Sequence, residues 1–439
     1  MKRLLDTEVK FYDQDSPQVP KLLSSWGSLI DYLDCVLVTG TIGIPVTSIE
    51  TYEDPDYPTE FWLSKISFEE ITGFKENLSV VEITGCEEIF YNTISRVQEV
   101  GKNYVIVAYD KILYPFQPPN IQQTEGTLLK LPSLGFDKVF EEHQKAIYKV
   151  STKNEKYAYL RIDNSCPTGH DPSHLKFARV SMFSEIDGID DYRFRLGRQK
   201  APAYTGDYNR VEEYIYDIWF HCQYPSSDMN INGTSGRDLD RYSLIGDQGT
   251  FYLTMDYLRS HSSYPADMTY IFGEYEKLTF KEDPLPFILF TSERMSYTSP
   301  VFMQYNYYEN LTRDRNQGKH TFKTDSEDIF TSSTSDRWAP WLGDGYHSGA
   351  NTRVSFRPYK NEIQLNMCDA TLRFYRVENT VLEGRYRGIK FYINNLQDQE
   401  NFAPSFKTPY SYNNKFYIRI SDRDYSEKAS FAVQLDNWE

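Results

Sequence analysis

The chain has 439 residues, a formal net charge of −16 and an aromatic content of 16%, led by 36 Tyr and 27 Phe. An acidic chain without a basic arm repels nucleic acid on average. It contains no run of about 18 apolar residues, as a membrane-spanning helix requires, and the charges at Lys2 and Arg3 precede any apolar stretch. The composition therefore predicts a mainly β protein that binds neither nucleic acid nor membrane and has no secretion signal.

The five cysteines are far apart, odd in number and without a C-x-x-C pair. This spacing argues against a disulfide framework or a zinc site. It predicts buried thiols in a protein made in a reducing cytoplasm.

Residues 1–24 combine charges, short apolar pairs, Pro17 and Pro20. This mixture predicts an extended N-terminal arm that lies on another molecule. Its deletion should then leave a folded protein.

The next segment, Trp26–Val38, has the periodicity of a short helix. Ser28 can cap its start and Gly40 can end it. The apolar residues that share one face of this helix are Leu29, Ile30, Leu33 and Leu37.

Residues 46–127 read as an inserted small β-barrel or sandwich, because short alternating runs are separated by glycine turns. The run Pro115–Pro119 is interpreted as the exit linker of this module. The predicted strands are Leu78–Thr84, Ile94–Val100 and Asn103–Tyr109.

Residues 25–45 together with 128–439 are expected to form the main β domain, with 285–300 as a candidate border between two subdomains. Residues 164–210, 223–240 and 305–351 are polar and predict loops. The fold class is thus mainly β and multi-domain, sandwich-like or barrel-like. The predicted strands of the main domain are Lys156–Ile162, Arg241–Gly246, Gly249–Met255, Thr371–Arg376, Gly388–Ile393, Lys415–Ile420 and Ser430–Trp438.

Candidates for catalysis or metal binding are weak. His170 and His174 have a spacing that suits a metal on a helix, but Pro172 lies between them and no third ligand can be named. The Asp-rich pieces 187–191 and 236–240 lack the pattern of a calcium loop. No catalytic residue, metal or cofactor is therefore expected.

Packing is the expected role of most aromatic residues, because Tyr and Trp anchor cores and interfaces. The residues predicted to carry packing and assembly contacts are Trp26, Leu29, Ile30, Leu33, Leu37 and Trp438.

Several motifs follow one another in a recognisable order: Val9–Tyr12, Ser24–Gly40, Leu78–Tyr109, Leu134–Phe140, Ala146–Tyr148, Tyr159–Asp163, Ala178–Val180, Tyr242–Asp247, Phe251–Leu253, Leu382–Phe391 and Phe431–Trp438. In this order they resemble a family of tailed-bacteriophage virion proteins known as structural or tail-associated. The chain departs from the pattern in residues 182–240 and 295–370, so no neighbour or receptor contact is carried over there. The resemblance implies no catalytic residues.

The resemblance implies a non-enzymatic structural component of a phage particle, made in the host cytoplasm and placed in the tail, baseplate or collar. Expected partners are other virion proteins and copies of the same chain, in a three-fold or six-fold ring. Two alternatives stay open: a capsid decoration or head-fibre protein, and a tail-spike domain that binds or cleaves carbohydrate. A host surface glycan is a partner only under the second.

Overall fold

The computed structural model describes most of the first 165 residues and a set of segments beyond them. The described ranges are 3–23, 25–122, 125–142, 144–151, 157–165, 177–183, 218–221, 241–256, 267–274, 276–277, 287–293, 339–340, 367–375, 380–393, 408–412, 414–419 and 429–438.

The described strands are, in chain order, β1 (Lys10–Asp13), β2 (Ile44–Glu53), β3 (Phe61–Phe68), β4 (Val80–Thr84), β5 (Ile94–Val100), β6 (Tyr104–Asp110), β7 (Leu128–Lys130), β8 (Asp137–Glu142), β9 (Lys145–Ser151), β10 (Tyr157–Asp163), β11 (Phe177–Phe183), β12 (Ile218–His221), β13 (Arg241–Gly246), β14 (Thr250–Asp256), β15 (Asp267–Glu274), β16 (Glu276–Lys277), β17 (Phe287–Glu293), β18 (Ala339–Pro340), β19 (Met367–Tyr375), β20 (Thr380–Ile393), β21 (Pro409–Tyr412), β22 (Lys415–Arg419) and β23 (Ala429–Gln434).

These strands form one closed barrel and three open sheets. The barrel has the order β2-β3-β6-β5-β4-β7, and the open sheets have the orders β1-β13-β14-β15-β17, β12-β11-β10-β9-β8 and β18-β19-β20-β23-β22-β21, with β16 also paired to β20. Every strand pair is antiparallel, so alternate side chains face the core and the other face of each sheet. The mainly β fold class and the inserted barrel are confirmed.

The predicted helix forms but takes two geometries. Its α-helical part is Ser28–Leu33, and a π-helical part, Asp34–Thr39, continues to Gly40. Ser28 is not the cap: Gly27, with φ 91°, precedes the helix, and the Ser28 hydroxyl donates to the Leu23 carbonyl at 2.6 Å.

The four residues of the predicted helix face, Leu29, Ile30, Leu33 and Leu37, are all buried. They belong to a contiguous apolar cluster that also includes residues of the barrel and of the first two open sheets. The helix therefore packs inside this chain. Two side chains of the second sheet anchor the helix through Asp34: Tyr148 donates to Asp34 at 2.9 Å, and Lys138 pairs with Asp34 at 2.8 Å.

Residues 4–22 contribute to the same molecule instead of forming an arm for another one. Strand β1 pairs with β13. Five apolar side chains of the segment are at most 3% exposed: Leu4, Val9, Phe11, Tyr12 and Leu22. The expectation of an arm that lies on another molecule is therefore corrected for this segment. The other predicted domain borders stay predictions.

The buried Arg96 connects the N-terminal segment, the barrel and the C-terminal end. Its guanidinium donates to the carbonyl oxygens of Asp6 and Val9, both at 2.7 Å, of Leu78 at 3.0 Å and of Leu435 at 3.2 Å. Burial lowers the pKa of Arg96 to about 10, still far above neutral pH. The charged side chain thus holds together three segments of backbone through four carbonyl oxygens.

A second buried cation holds the C-terminal strand. Arg387 pairs with Asp247 at 2.6 Å and donates to the Trp438 carbonyl at 3.0 Å. Trp438 is 1% exposed, and its indole nitrogen donates to Gln434 at 2.8 Å. Gly388, with φ +68°, lies against this ring, where a Cβ atom would stand 2.2 Å from the indole nitrogen. These contacts fix the residues after β23 to β20 and β13.

Two predicted loops contain strands. Strand β11 lies within the predicted loop 164–210, and β18 lies within 305–351. The prediction of loops rested on the polar composition of these two ranges. Strands form there nevertheless, because the hydrogen bonds between paired strands come from the backbone and do not depend on side-chain polarity. The Asp-rich pieces 187–191 and 236–240 lie outside the described residues.

Stability is expected to fall at alkaline pH because several buried hydroxyls and one thiol resist ionisation. Burial raises the pKa of Cys35 to about 11 and of Tyr242 to about 12, and raises that of Tyr12, Tyr32 and Tyr148 well above its usual value. The folded chain keeps protons that the unfolded chain releases. Stability is therefore full below about pH 9 and is lost as the pH rises through these values.

The measurement is thermal unfolding at pH 8, 9.5 and 11, together with tyrosinate absorbance. We expect the melting temperature to fall by several degrees at pH 11, with one group of tyrosines ionising only as the chain unfolds. A smooth titration of all tyrosines near pH 10, with near-ultraviolet circular dichroism unchanged, would contradict this burial.

Candidate interaction surface

One end of the barrel carries three of its connections. Because neighbouring barrel strands are antiparallel, the β2–β3, β4–β5 and β6–β7 connections lie at the same end. Their residues are 54–60, 85–93 and 111–127. The β3–β4 and β5–β6 connections lie at the other end, where Lys75 pairs with Asp13 of the N-terminal segment.

An aromatic cluster joins two of these loops. Phe90, in the β4–β5 connection, packs against Tyr114 with ring centroids 4.6 Å apart and against Tyr109 at 4.7 Å. The Phe90–Tyr114 contact is edge-to-face, a geometry that adds to the stabilisation from burial. The Trp62 indole donates to the Tyr114 carbonyl at 2.9 Å, which fixes the loop to β3.

The β6–β7 loop is held in place along much of its length. The Tyr91 hydroxyl donates to the Pro119 carbonyl at 2.7 Å, and Gln117 donates to the Thr51 carbonyl at 2.8 Å. Asn120 accepts from the Thr51 amide at 2.7 Å, and Ile121 forms a bridge with Ile49. The interpretation of Pro115–Pro119 as an exit linker is therefore wrong, because this run is hydrogen-bonded to β2 and remains part of the barrel.

Four large apolar side chains of these loops nevertheless face solvent. Ile89 is 84% exposed, Ile112 86%, Leu113 72% and Phe116 85%. We call these four residues the apolar loop surface. Ile112, Leu113 and Phe116 lie close together on one loop, and Ile89 lies on the loop that the Phe90–Tyr114 contact joins to it. Grouped exposed apolar residues, unlike scattered ones, are typical of interaction surfaces.

Exposed carboxylates lie on the loops at the same end of the barrel. Glu60 ends the β2–β3 connection, and Glu87 and Glu88 directly precede Ile89 in the β4–β5 connection. Lys111, the one basic residue in 54–60, 85–93 and 111–122, is itself engaged. Its ammonium lies 2.8 Å from a Glu53 carboxylate oxygen and 3.7 Å from the centroid of the Trp62 ring.

The barrel as a whole is strongly acidic. Residues 44–130 contain fourteen acidic and six basic residues, a formal charge of −8, which is half of the charge of the chain. In the loops 54–60, 85–93 and 111–122, five acidic residues stand against Lys111 alone, and Arg3 of the N-terminal segment pairs with one of them, Asp54, at 3.0 Å. This end of the barrel therefore combines apolar side chains with an acidic rim.

The residues predicted for packing and assembly lie elsewhere. Leu29, Ile30, Leu33, Leu37 and Trp438 are buried within the chain. Trp26 is half-buried beside the helix start. Their described contacts are internal, so none of the five buried side chains is available to a neighbour.

The weak metal candidates His170 and His174 lie outside the described residues. Within the described ranges, no group of three or more His, Cys, Asp or Glu side chains is arranged to hold a metal ion. Cys35 and Cys86 are both buried free thiols, as predicted for them.

Sequence reasoning missed the apolar loop surface. The available signal was the run Lys111–Pro119, in which Ile112, Leu113 and Phe116 stand among prolines. A flexible solvent-exposed linker is normally polar, so these three apolar residues could have marked a contact site.

Comparisons with known proteins give no family for this chain: neither a family model nor a curated protein matches it. In the part of the chain that the structure describes, no helix is both long and apolar enough to cross a bilayer.

Proposed function

We propose that this chain is a structural component of a tailed-phage particle, placed in the tail, baseplate or collar, and that it works through contacts between subunits. The order of motifs that resembles virion proteins supports the proposal. The observation that carries it is the apolar loop surface, because four large apolar side chains on fixed loops suit a permanent protein contact.

The fixed loops make such a contact favourable. Binding costs free energy when side chains and loops must be ordered, and here the prolines and hydrogen bonds of the β6–β7 loop have already ordered them. Apolar anchors at the centre of an interface supply most of its binding energy. Assembly into a closed ring would repeat the same contacts around the particle.

The test is mass spectrometry of purified particles with copy counting. We expect the chain in a small fixed number per particle, in a multiple of three or six. Microscopy of particles labelled with an antibody against the chain then shows its position. Absence of the chain from purified particles would end the proposal.

A double substitution on the apolar loop surface should separate assembly from folding. Leu113→Ser with Phe116→Ser removes two exposed side chains, so stability should change by less than about 0.5 kcal/mol. Incorporation into particles should fall at least tenfold, because the loss of two interface anchors costs about 2 kcal/mol or more.

The matched control is Ile42→Ser, which removes an apolar side chain that is 78% exposed and lies outside the apolar loop surface. It should enter particles normally. Equal incorporation of the double variant and the wild-type chain would show that the apolar loop surface plays no part in assembly.

A further inference from the structure

Resting on the proposed function, we infer that the apolar loop surface binds a different virion protein. That partner would present an apolar pocket whose edge carries Lys and Arg side chains. Each of the four side chains is at least 72% exposed. Large apolar side chains are the usual anchors at the centre of a protein interface.

The acidic residues at this end of the barrel determine the charge expected on the partner. Glu60, Glu87 and Glu88 are exposed on the loops at the same end of the barrel, and the one lysine of these loops is already paired with Glu53. Basic residues on the partner would pair with these carboxylates, guide the approach and set the register of the contact. If the edge of the partner were neutral or acidic, the carboxylates of Glu60, Glu87 and Glu88 would lose water without gaining a cationic partner, which costs free energy.

The same charge disfavours a second copy of the chain. A two-fold contact places identical surfaces opposite each other, so two barrel ends with acidic rims would meet. Like charges placed face to face oppose association. Two copies are therefore not expected to meet end to end through their apolar loop surfaces.

Anionic surfaces are disfavoured for the same reason. The cytoplasmic face of a membrane carries negative lipids and attracts basic segments, and nucleic acid carries one phosphate charge for each nucleotide. A barrel with a formal charge of −8 would be repelled by both. A protein with a basic rim is the partner that fits.

Site-specific photo-crosslinking of the full chain tests this inference. Benzoylphenylalanine replaces Phe116 in one sample and Leu113 in a second, and the chain is produced in infected host cells. Crosslinked peptides are identified both in the cells and in purified particles. The control replaces Lys102, which is exposed at the other end of the barrel.

We expect positions 113 and 116 to crosslink to one site on another virion protein, with Lys or Arg beside the crosslinked residue. Glu87→Lys with Glu88→Lys should lower the crosslink yield at least fivefold. The same change of charge at the other end of the barrel, Glu69→Lys with Glu70→Lys, should leave the yield unchanged.

Three outcomes overturn the inference: crosslinks mainly to a second copy of the chain, no protein crosslink at either position, or a yield that does not respond to the charge reversal at residues 87 and 88. Failure of the proposed function gives a different result, namely absence of the chain from purified particles. If the chain is absent from particles but still crosslinks in cells to a protein with Lys and Arg around the crosslinked site, the virion role is wrong and the inferred chemistry of the partner stands.

Discussion

Deletion of residues 1–24 is expected to unfold the chain. The deletion removes strand β1 and five apolar side chains that are at most 3% exposed. Each such side chain contributes about 1.5–3 kcal/mol through burial, so the loss is on the order of 10 kcal/mol, comparable to the whole stability of a typical domain.

Two further losses add to this. The deletion removes the carbonyl oxygens of Asp6 and Val9, which accept hydrogen bonds from the buried Arg96. It also exposes the edge of β13, and an unpaired edge strand promotes aggregation. The truncated chain should therefore be recovered in inclusion bodies or, if kept in solution, should lack a cooperative unfolding transition.

Circular dichroism during heating and limited proteolysis of the full and truncated chains measure this effect. A control chain with Lys21→Ser and Leu23→Ser alters exposed residues of the same segment and should unfold like the wild type. A truncated chain with an unchanged melting temperature would restore the idea of an arm that serves another molecule.

Arg96→Met is expected to cost about 3–5 kcal/mol, because it removes several buried hydrogen bonds from a charged donor, each worth about 1.5–3 kcal/mol. The methionine fills most of the volume but donates no hydrogen bond. Carbonyl oxygens of Asp6, Val9, Leu78 and Leu435 would then lie buried with fewer donors, and an unsatisfied buried polar group is costly.

Arg96→Lys should fall between wild type and Arg96→Met, because an ammonium retains the charge but cannot reach four carbonyls with a planar fork. Lys102→Met is the matched control. Its ammonium forms an exposed pair with Glu70, so the change should stay within about 0.5 kcal/mol. Urea unfolding of the wild type and the three variants gives their free energies of unfolding. Equal stability of Arg96→Met and Lys102→Met would show that the hydrogen bonds of Arg96 do not stabilise the fold.

Much of the strand pattern could be predicted from the sequence. The predicted bounds of Ile94–Val100 and Arg241–Gly246 agree with β5 and β13, and the closed barrel matches the inserted module. These segments are readable because alternation of apolar and polar residues repeats every two positions and needs no knowledge of distant contacts.

The interaction surface could not be predicted in the same way. The residues selected for packing were selected because they are apolar, and the structure buries five of the six. Whether an apolar residue lies inside or outside depends on what the fold places over it. Phe116 and Phe90 are of the same type, yet only Phe90 is covered by Tyr109 and Tyr114.

By itself, the sequence determined the mainly β class, the acidic charge, the short helix and the positions of ten of the 23 described strands, because composition and short-range periodicity act within a few residues. Only the tertiary structure decided that the N-terminal segment belongs to the core, that the proline-rich run closes back onto the barrel, and that Arg96 joins Asp6 to Leu435. These features depend on groups that are close in space but far apart along the chain, by 339 positions for the Arg96 side chain and the Leu435 carbonyl. Backbone carbonyls are the same in every residue, so no local pattern of side chains marks which of them will meet.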